Sequence, residues 1–135
     1  MEKVKNTTIL YIDDDEDDLE MLQEAIREID PRYEIVKAGN GEEGLSELYK
    51  MKENQTLPCL IVLDINMPKL DGKQTFQRIR ADKALFNIPI VIFSTSSSEM
   101  DKLFFQRKNV EMITKPFEYK TFYEVALKLL SYCKQ

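Results

Sequence analysis

The 135-residue chain contains no histidine. This excludes an imidazole general base, a histidine-paired cysteine or serine nucleophile, and any imidazole metal ligand. If the chain handles phosphoryl groups through histidine, that histidine belongs to a partner. No apolar run approaches the roughly 20 residues that a membrane helix needs. The N-terminal MEKVKNTT lacks the apolar stretch of a secretory signal. A net charge of −5 gives the chain no electrostatic footprint for DNA, RNA or an anionic membrane. The chain has only two cysteines, Cys59 and Cys133, and they match no CxxC spacing. Both are expected to be reduced thiols in a cytoplasm, with Cys59 in the core and Cys133 near the tail.

The chain has the length of one domain with a single core, and the expectation is one unit over 1–135 with no output domain. Three short apolar runs stand out: Ile9–Ile12, Leu60–Leu63 and Ile90–Phe93. Their length and β-branched content suit parallel strands buried on both faces. Tyr33–Val36 and Val110–Ile113 each carry an acid inside the run and suit the sheet edges. Leu19, Leu22, Ile26 and Ile29 recur at helical spacing and stop before Pro31. Leu45 and Leu48 mark a second helix, Phe76 and Ile79 a third, Leu103 and Phe104 a fourth, and Phe122, Val125, Ala126 and Leu129 a fifth. Strictly alternating strands and helices predict an α/β fold, a parallel sheet with helices on both faces.

In such a sheet, ligands bind outside the carboxyl ends of the strands. The first strand ends in Asp13 and Asp14, the third in Asp64, the fourth in Ser94, and the fifth, after Thr114, in Lys115. Singly, each reads as an ordinary polar residue, because Asp and Ser cap helices and lysine is common on surfaces. Jointly, each lies just past its own strand, and that convergence is expected of a site. Three carboxylates at one strand edge raise one another's pKa unless a cation sits among them. Their oxygen ligands suit a hard divalent ion, Mg²⁺ above all. One carboxylate can then attack a phosphoryl donor to give an acyl phosphate, while a lysine and a hydroxyl hold the phosphoryl oxygens.

The stretches ILYIDDDEDD, LIVLDINMPKLDG, IPIVIFSTSS and ITKPF resemble the successive motifs of the response-regulator receiver family, from about residue 7 to about 132. The resemblance implies a flavodoxin-like, doubly wound five-stranded sheet in the order 2-1-3-4-5. It implies that Asp64 is the phosphoacceptor and that Asp14 is a direct Mg²⁺ ligand. Asp13 would be a ligand acting through water, and the backbone carbonyl of Asn66 a further contact. Ser94 stands at the family's switch hydroxyl and Lys115 at the lysine that pairs with the phosphoryl group. Similar proteins hold the bond to the following proline, here Pro116, in cis. Asp15 is expected as a helix N-cap. The implied partners are a histidine kinase or a histidine phosphotransfer protein and an unidentified downstream protein target. A weak or phosphorylation-dependent homodimer is compatible with this reading, which includes neither nucleic acid nor membrane. Such a domain is a signalling phosphoacceptor rather than an enzyme. One departure is Met112, three positions before the lysine, where the family often has an aromatic residue that moves with the hydroxyl.

Three rival readings are weaker. Asp13, Asp15 and Asp17 with Glu24 imitate a calcium loop, but Asp18 stands where the sharp turn wants glycine. An aspartyl phosphatase of the haloacid-dehalogenase group would need a second Asp two places after the nucleophile, and position 66 is Asn. A degenerate receiver would lack the acceptor, an acid or the lysine, and all are present. Effector and relay carrier are not separated by the sequence.

Overall fold

The computed structural model describes residues 7–67, 70–95 and 98–134. Pro68 and Lys69 of LDINMPKLDG, Ser96 and Ser97 of IPIVIFSTSS, and residues 1–6 lie outside the described residues. Strands and helices alternate as β1 (Thr8–Ile12), α1 (Glu16–Ile29), β2 (Glu34–Ala38), α2 (Gly41–Glu53), β3 (Leu60–Leu63), α3 (Gly72–Ala81), β4 (Ile90–Ser94), α4 (Glu99–Arg107), β5 (Glu111–Thr114) and α5 (Tyr119–Cys133). The strands are parallel, in the order β2-β1-β3-β4-β5. This is the parallel sheet that the alternation predicts, in the flavodoxin-like order that the resemblance implies.

The period of two along each strand divides the core into two layers. Leu10, Ile12, Ile61, Leu63, Ile90 and Ile92 pack with Leu45, Leu48, Phe76, Ile79 and Phe105 of α2, α3 and α4. Ile9, Tyr11, Leu60, Val62, Val91 and Phe93 point the other way, onto Leu22, Ile26, Phe122 and Leu129 of α1 and α5. The central strands therefore have no polar face, which explains their continuous apolar runs. The runs with an internal acid are the two edges, β2 and β5, each beginning one residue later than the apolar pattern suggests. On β5 the acid has partners: Glu111 accepts from Tyr132 and pairs with Lys128, both on α5.

The fourth helix differs from its sequence reading. Its buried residue is Phe105, while Leu103 is exposed and Phe104 half-buried. Neighbouring helix positions lie about 100° apart, so the run Leu103-Phe104-Phe105 can send only one side chain straight inward. Phe105 takes that place, edge-on to Phe76.

The cysteines also differ. Cys59, just before β3, is joined by a disulfide to Cys133 at the end of α5, with Cα atoms 5.1 Å apart and a sequence separation of 74. They are not free thiols. The helix α5 starts at the carboxyl edge of the sheet and runs back across it, so its last turn arrives beside the residue that enters β3. Closing so long a loop stabilises the fold by about 4 kcal/mol in the chain-entropy account.

Gly72 lets the start of α3 approach the residues that follow β3. A Cβ there would stand 2.7 Å from the Asp64 carbonyl oxygen and would also collide with the backbone of Ile65. The helix start is thereby pressed against the loop that carries Asp64, and Asp71 caps it through a reciprocal capping box with Gln74. Gly72→Ala is expected to lower unfolding stability by about 1–3 kcal/mol in urea denaturation. An unchanged midpoint would show that this approach is not enforced.

Candidate functional site

The strand ends at the carboxyl edge bring Asp13, Asp64 and Lys115 into direct contact. The Lys115 ammonium lies 2.7 Å from Asp13 Oδ2, 2.8 Å from Asp18 Oδ2 and 3.3 Å from Asp64 Oδ2. Asp13 is fully buried, and Asp64 and Lys115 are 4% and 7% exposed. Carboxylates so removed from water are tolerated only when paired, and one lysine serves both of them and the half-buried Asp18 as well.

Both oxygens of Asp13 are engaged. Oδ1 accepts the backbone N–H of Asp15 at 2.9 Å, and Oδ2 accepts the Tyr11 hydroxyl at 2.8 Å besides meeting Lys115. Burial pushes the Asp13 carboxyl up to about 6, against the pull of Lys115 and of the Asp15 N–H. Burial also disfavours the Lys115 ammonium, but its hydrogen bonds to Asp13 and Asp18 outweigh this and hold its pKa above the ordinary lysine range. Burial together with the neighbouring carboxylates raises the Tyr11 phenol far above its usual value, so it remains a donor.

Asp64 Oδ1 accepts the backbone N–H of Asn66 at 3.1 Å, a local turn that aims the carboxylate along the sheet edge. Asp14 is exposed, yet one of its carboxylate oxygens lies within 4.8 Å of oxygens from Asp13 and Asp64. The three form an all-oxygen donor set of the kind that hard divalent ions prefer, open to solvent on the Asp14 side, so the residues fit such an ion. A cleft of about 480 Å³ opens beside them, lined by Asp13, Asp14, Glu16, Glu20, Lys37 and Glu43 among others. It touches neither Asp64 nor Lys115, and so borders the strand-end cluster on the side of Asp13 and Asp14.

Ser94 ends β4, is buried, and is coupled to Lys115 through the backbone: its carbonyl accepts the Lys115 N–H at 3.0 Å. Leu63 pairs with Ile92, which places Ser94 one step beyond the level of Asp64. Asp15 is the N-cap of α1, accepting from the N–H groups of Asp17 and Asp18, as expected. The Lys115–Pro116 bond is not cis; no cis peptide occurs among the described residues. The trans form is the ordinary preference of such bonds, and Lys115 reaches all three carboxylates with it. Met112 is half-buried on the face covered by α2, α3 and α4.

Two contributors were missed in the sequence. Tyr11 lies two residues before Asp13 on the same strand, and the period of two sends both side chains to one face. Asp18 lies four residues after Asp14 in the first turn of α1, so that turn was the available signal.

The chain matches the family model described as the response regulator receiver domain over residues 9–126. It is 34% identical over 128 residues to the probable C4-dicarboxylate response regulator DctR of Bacillus subtilis, covering 95% of this chain and 54% of that protein. It is 32% identical over 95 residues to response regulator Rcp1 of Synechocystis, covering 69% of this chain and 65% of that one. The chain thus spans between half and two thirds of the length of these curated relatives. Among solved structures, the phosphorylated cyanobacterial phytochrome response regulator RcpA superposes with a TM-score of 0.86 at 28% identity, over 96% of this chain and 95% of that one. The Mn(2+)-bound form of Rcp1 gives a TM-score of 0.81 at 27% identity, over 93% and 92%.

Removing the lysine exposes the cost of the buried acids. A carboxyl raised to about 6 in the fold, against an ordinary value of 3.8, makes the folded state the better proton binder. The stability that Asp13 contributes therefore falls as pH rises from about 4 through 6. Without Lys115 the Asp13 carboxyl rises further and that loss extends to higher pH. Lys115→Met is expected to be destabilised by about 3–5 kcal/mol at pH 7.5 in the presence of a chelator, and much less at pH 4.5. A penalty equal at both pH values in urea titrations would refute the pairing.

Proposed function

Because the chain belongs to the response regulator receiver family, we propose that Asp64 accepts a phosphoryl group and that the protein signals through that modification. One observation carries this reading. A buried carboxylate at a strand end has one oxygen against Lys115 and the other held by the Asn66 N–H, with Asp13 and Asp14 beside it. The donor is a phosphohistidine on a histidine kinase or a histidine phosphotransfer protein, which supplies the imidazole that this chain lacks. An Asp64 oxygen attacks phosphorus, the P–N bond breaks, and the electron pair leaves on the partner's imidazole. Lys115 then exchanges its contact with Asp64 for one with a phosphoryl oxygen, a charge-assisted bond. Ser94, one step further along the edge, takes a second oxygen through its hydroxyl.

Mg²⁺, held by Asp13, Asp14, Asp64 and the backbone carbonyl of Asn66, would neutralise the charge on the phosphoryl oxygens. The exposed side chain of Asp14 supports direct ligation. Asp13, with both oxygens already engaged, supports contact through water. That the solved form of Rcp1 is Mn(2+)-bound supports a divalent ion in this fold.

The domain assists only its own phosphorylation and dephosphorylation. It acts in the cytoplasm on an unidentified protein target, and phosphorylation promotes weak homodimers or target binding. The acidic balance does not favour nucleic acid. Movement of Ser94 and Lys115 pulls on the loops around α4 and β5. Met112 has several rotamers of similar energy, so backbone and loop shifts carry most of the response.

Acetyl phosphate with Mg²⁺ is expected to add one acid-stable, base-labile phosphoryl group, detected by intact mass. Asp64→Asn loses it, and Asp14→Ala weakens Mg²⁺ binding in calorimetry more than Asp13→Ala. Undiminished labelling of Asp64→Asn would remove the assignment. In parallel, Met112→Ala should leave labelling nearly intact and reduce phosphorylation-dependent association only modestly, whereas Ser94→Ala should abolish that association. Equal loss in the two variants would make Met112 a switch residue in its own right.

A further inference from the structure

We propose that Cys59 and Cys133 are a reversible redox modification site, a dithiol that a low-molecular-weight disulfide oxidises and that sets how firmly α5 is held to the sheet. This does not rest on Asp64 being the phosphoacceptor.

Three observations carry it. First, the cysteines are placed to serve both states. Their Cα atoms are 5.1 Å apart, within bonding geometry, and Cys59 Sγ also lies 3.3 Å from the Thr8 carbonyl oxygen, so a reduced Cys59 thiol has an acceptor in place. Second, access is asymmetric. Cys59 is half-buried while Cys133 is 7% exposed and packed in the layer between the sheet and α1 and α5. An external thiol or disulfide therefore meets Cys59 first, and Cys133 resolves the intermediate. Third, the helix that the bond secures lacks the side-chain N-cap that the other four helices have. The helices α1, α2, α3 and α4 are capped by the side chains of Asp15, Asn40, Asp71 and Ser98, whereas the N-cap of α5, Glu118, makes no side-chain cap hydrogen bond. The helix is held by its apolar face, by the Tyr119 hydroxyl donating to Glu28 of α1 at 3.2 Å, by the Glu111 contacts to Lys128 and Tyr132, and by the disulfide, the one covalent link among them.

The step balances as thiol–disulfide exchange. The Cys59 thiolate attacks one sulfur of the oxidant, whose S–S bond breaks and releases one thiol. The Cys133 thiolate then attacks Cys59 Sγ in the mixed disulfide and releases the second thiol. Two electrons pass from the cysteines to the oxidant, and their two protons end on the released thiols. A reducing cytoplasm drives the reverse direction. The consequence reaches the site because α5 begins four residues after Lys115.

The test uses wild-type protein equilibrated in glutathione buffers of graded ratio, with iodoacetamide trapping and intact mass, followed by hydrogen exchange of both forms. Expected are conversion between disulfide and dithiol in native buffer, read as no or two alkylated cysteines after an acid quench and alkylation in denaturant, and faster exchange over residues 127–134 on reduction. The melting temperature should also fall on the order of 10 °C. Cys59→Ser should behave as the reduced form and ignore dithiothreitol. A bond that opens only in denaturant, or reduction that leaves α5 exchange unchanged, overturns the proposal.

Discussion

The ammonium of Lys115 makes this arrangement of acids tenable. Three carboxylates, those of Asp13, Asp18 and Asp64, converge on it within 3.3 Å. They do so at the buried end of a parallel sheet, where an unpaired charge costs several kcal/mol. The lysine arrives from the edge strand β5, the acids from β1, the start of α1 and β3. The cluster therefore exists only when four elements are docked in one register. Tyr11 and the Asp15 N–H complete the coordination of Asp13 and leave it no freedom. Asp64 is different, because among the described residues one of its oxygens contacts only a lysine at 3.3 Å, a contact that a more strongly charged acceptor can displace.

The fold around this cluster follows from elementary preferences. Three central strands with no polar face require cover on both sides, and five amphipathic helices supply it. The loops that follow the strands then collect at one edge, where they hold the polar residues that the strands cannot. Gly72 and the Asp71 capping box set the start of α3 against Asp64 and Ile65, so Asp64 is positioned by packing as well as by its own turn. At the opposite edge, the Cys59–Cys133 bond ties the last helix to the entrance of the same strand. Strand β3 is thus constrained at both ends, by chemistry at one and by a covalent link at the other.

Much of this was legible in the sequence because its signals are local. Asp13, Asp64 and Ser94 stand directly after short apolar runs, Lys115 one residue later, and the acids Glu34 and Glu111 mark the edges. Asp18 was less visible, since its role depends on the angle at which α1 leaves β1, and Tyr11 was masked by its place inside an apolar run. In Leu103-Phe104-Phe105 three adjacent large apolar residues leave the helix phase undecided in a helix only 9 residues long. The disulfide could not be read, because it depends on where α5 ends against a strand entered 74 residues earlier. The trans bond before Pro116 likewise corrects a family expectation that no residue in the chain dictates.

The central claim is that Lys115 releases Asp64 and follows the incoming phosphoryl group. A crystal structure of the protein with beryllofluoride and Mg²⁺ measures this directly. The account predicts beryllium bonded to an Asp64 oxygen and the Lys115 ammonium within about 3 Å of a fluoride, with the Ser94 hydroxyl on another. Beryllofluoride on a different carboxylate, or Lys115 still bridging Asp13 and Asp18 with no fluoride contact, would contradict it.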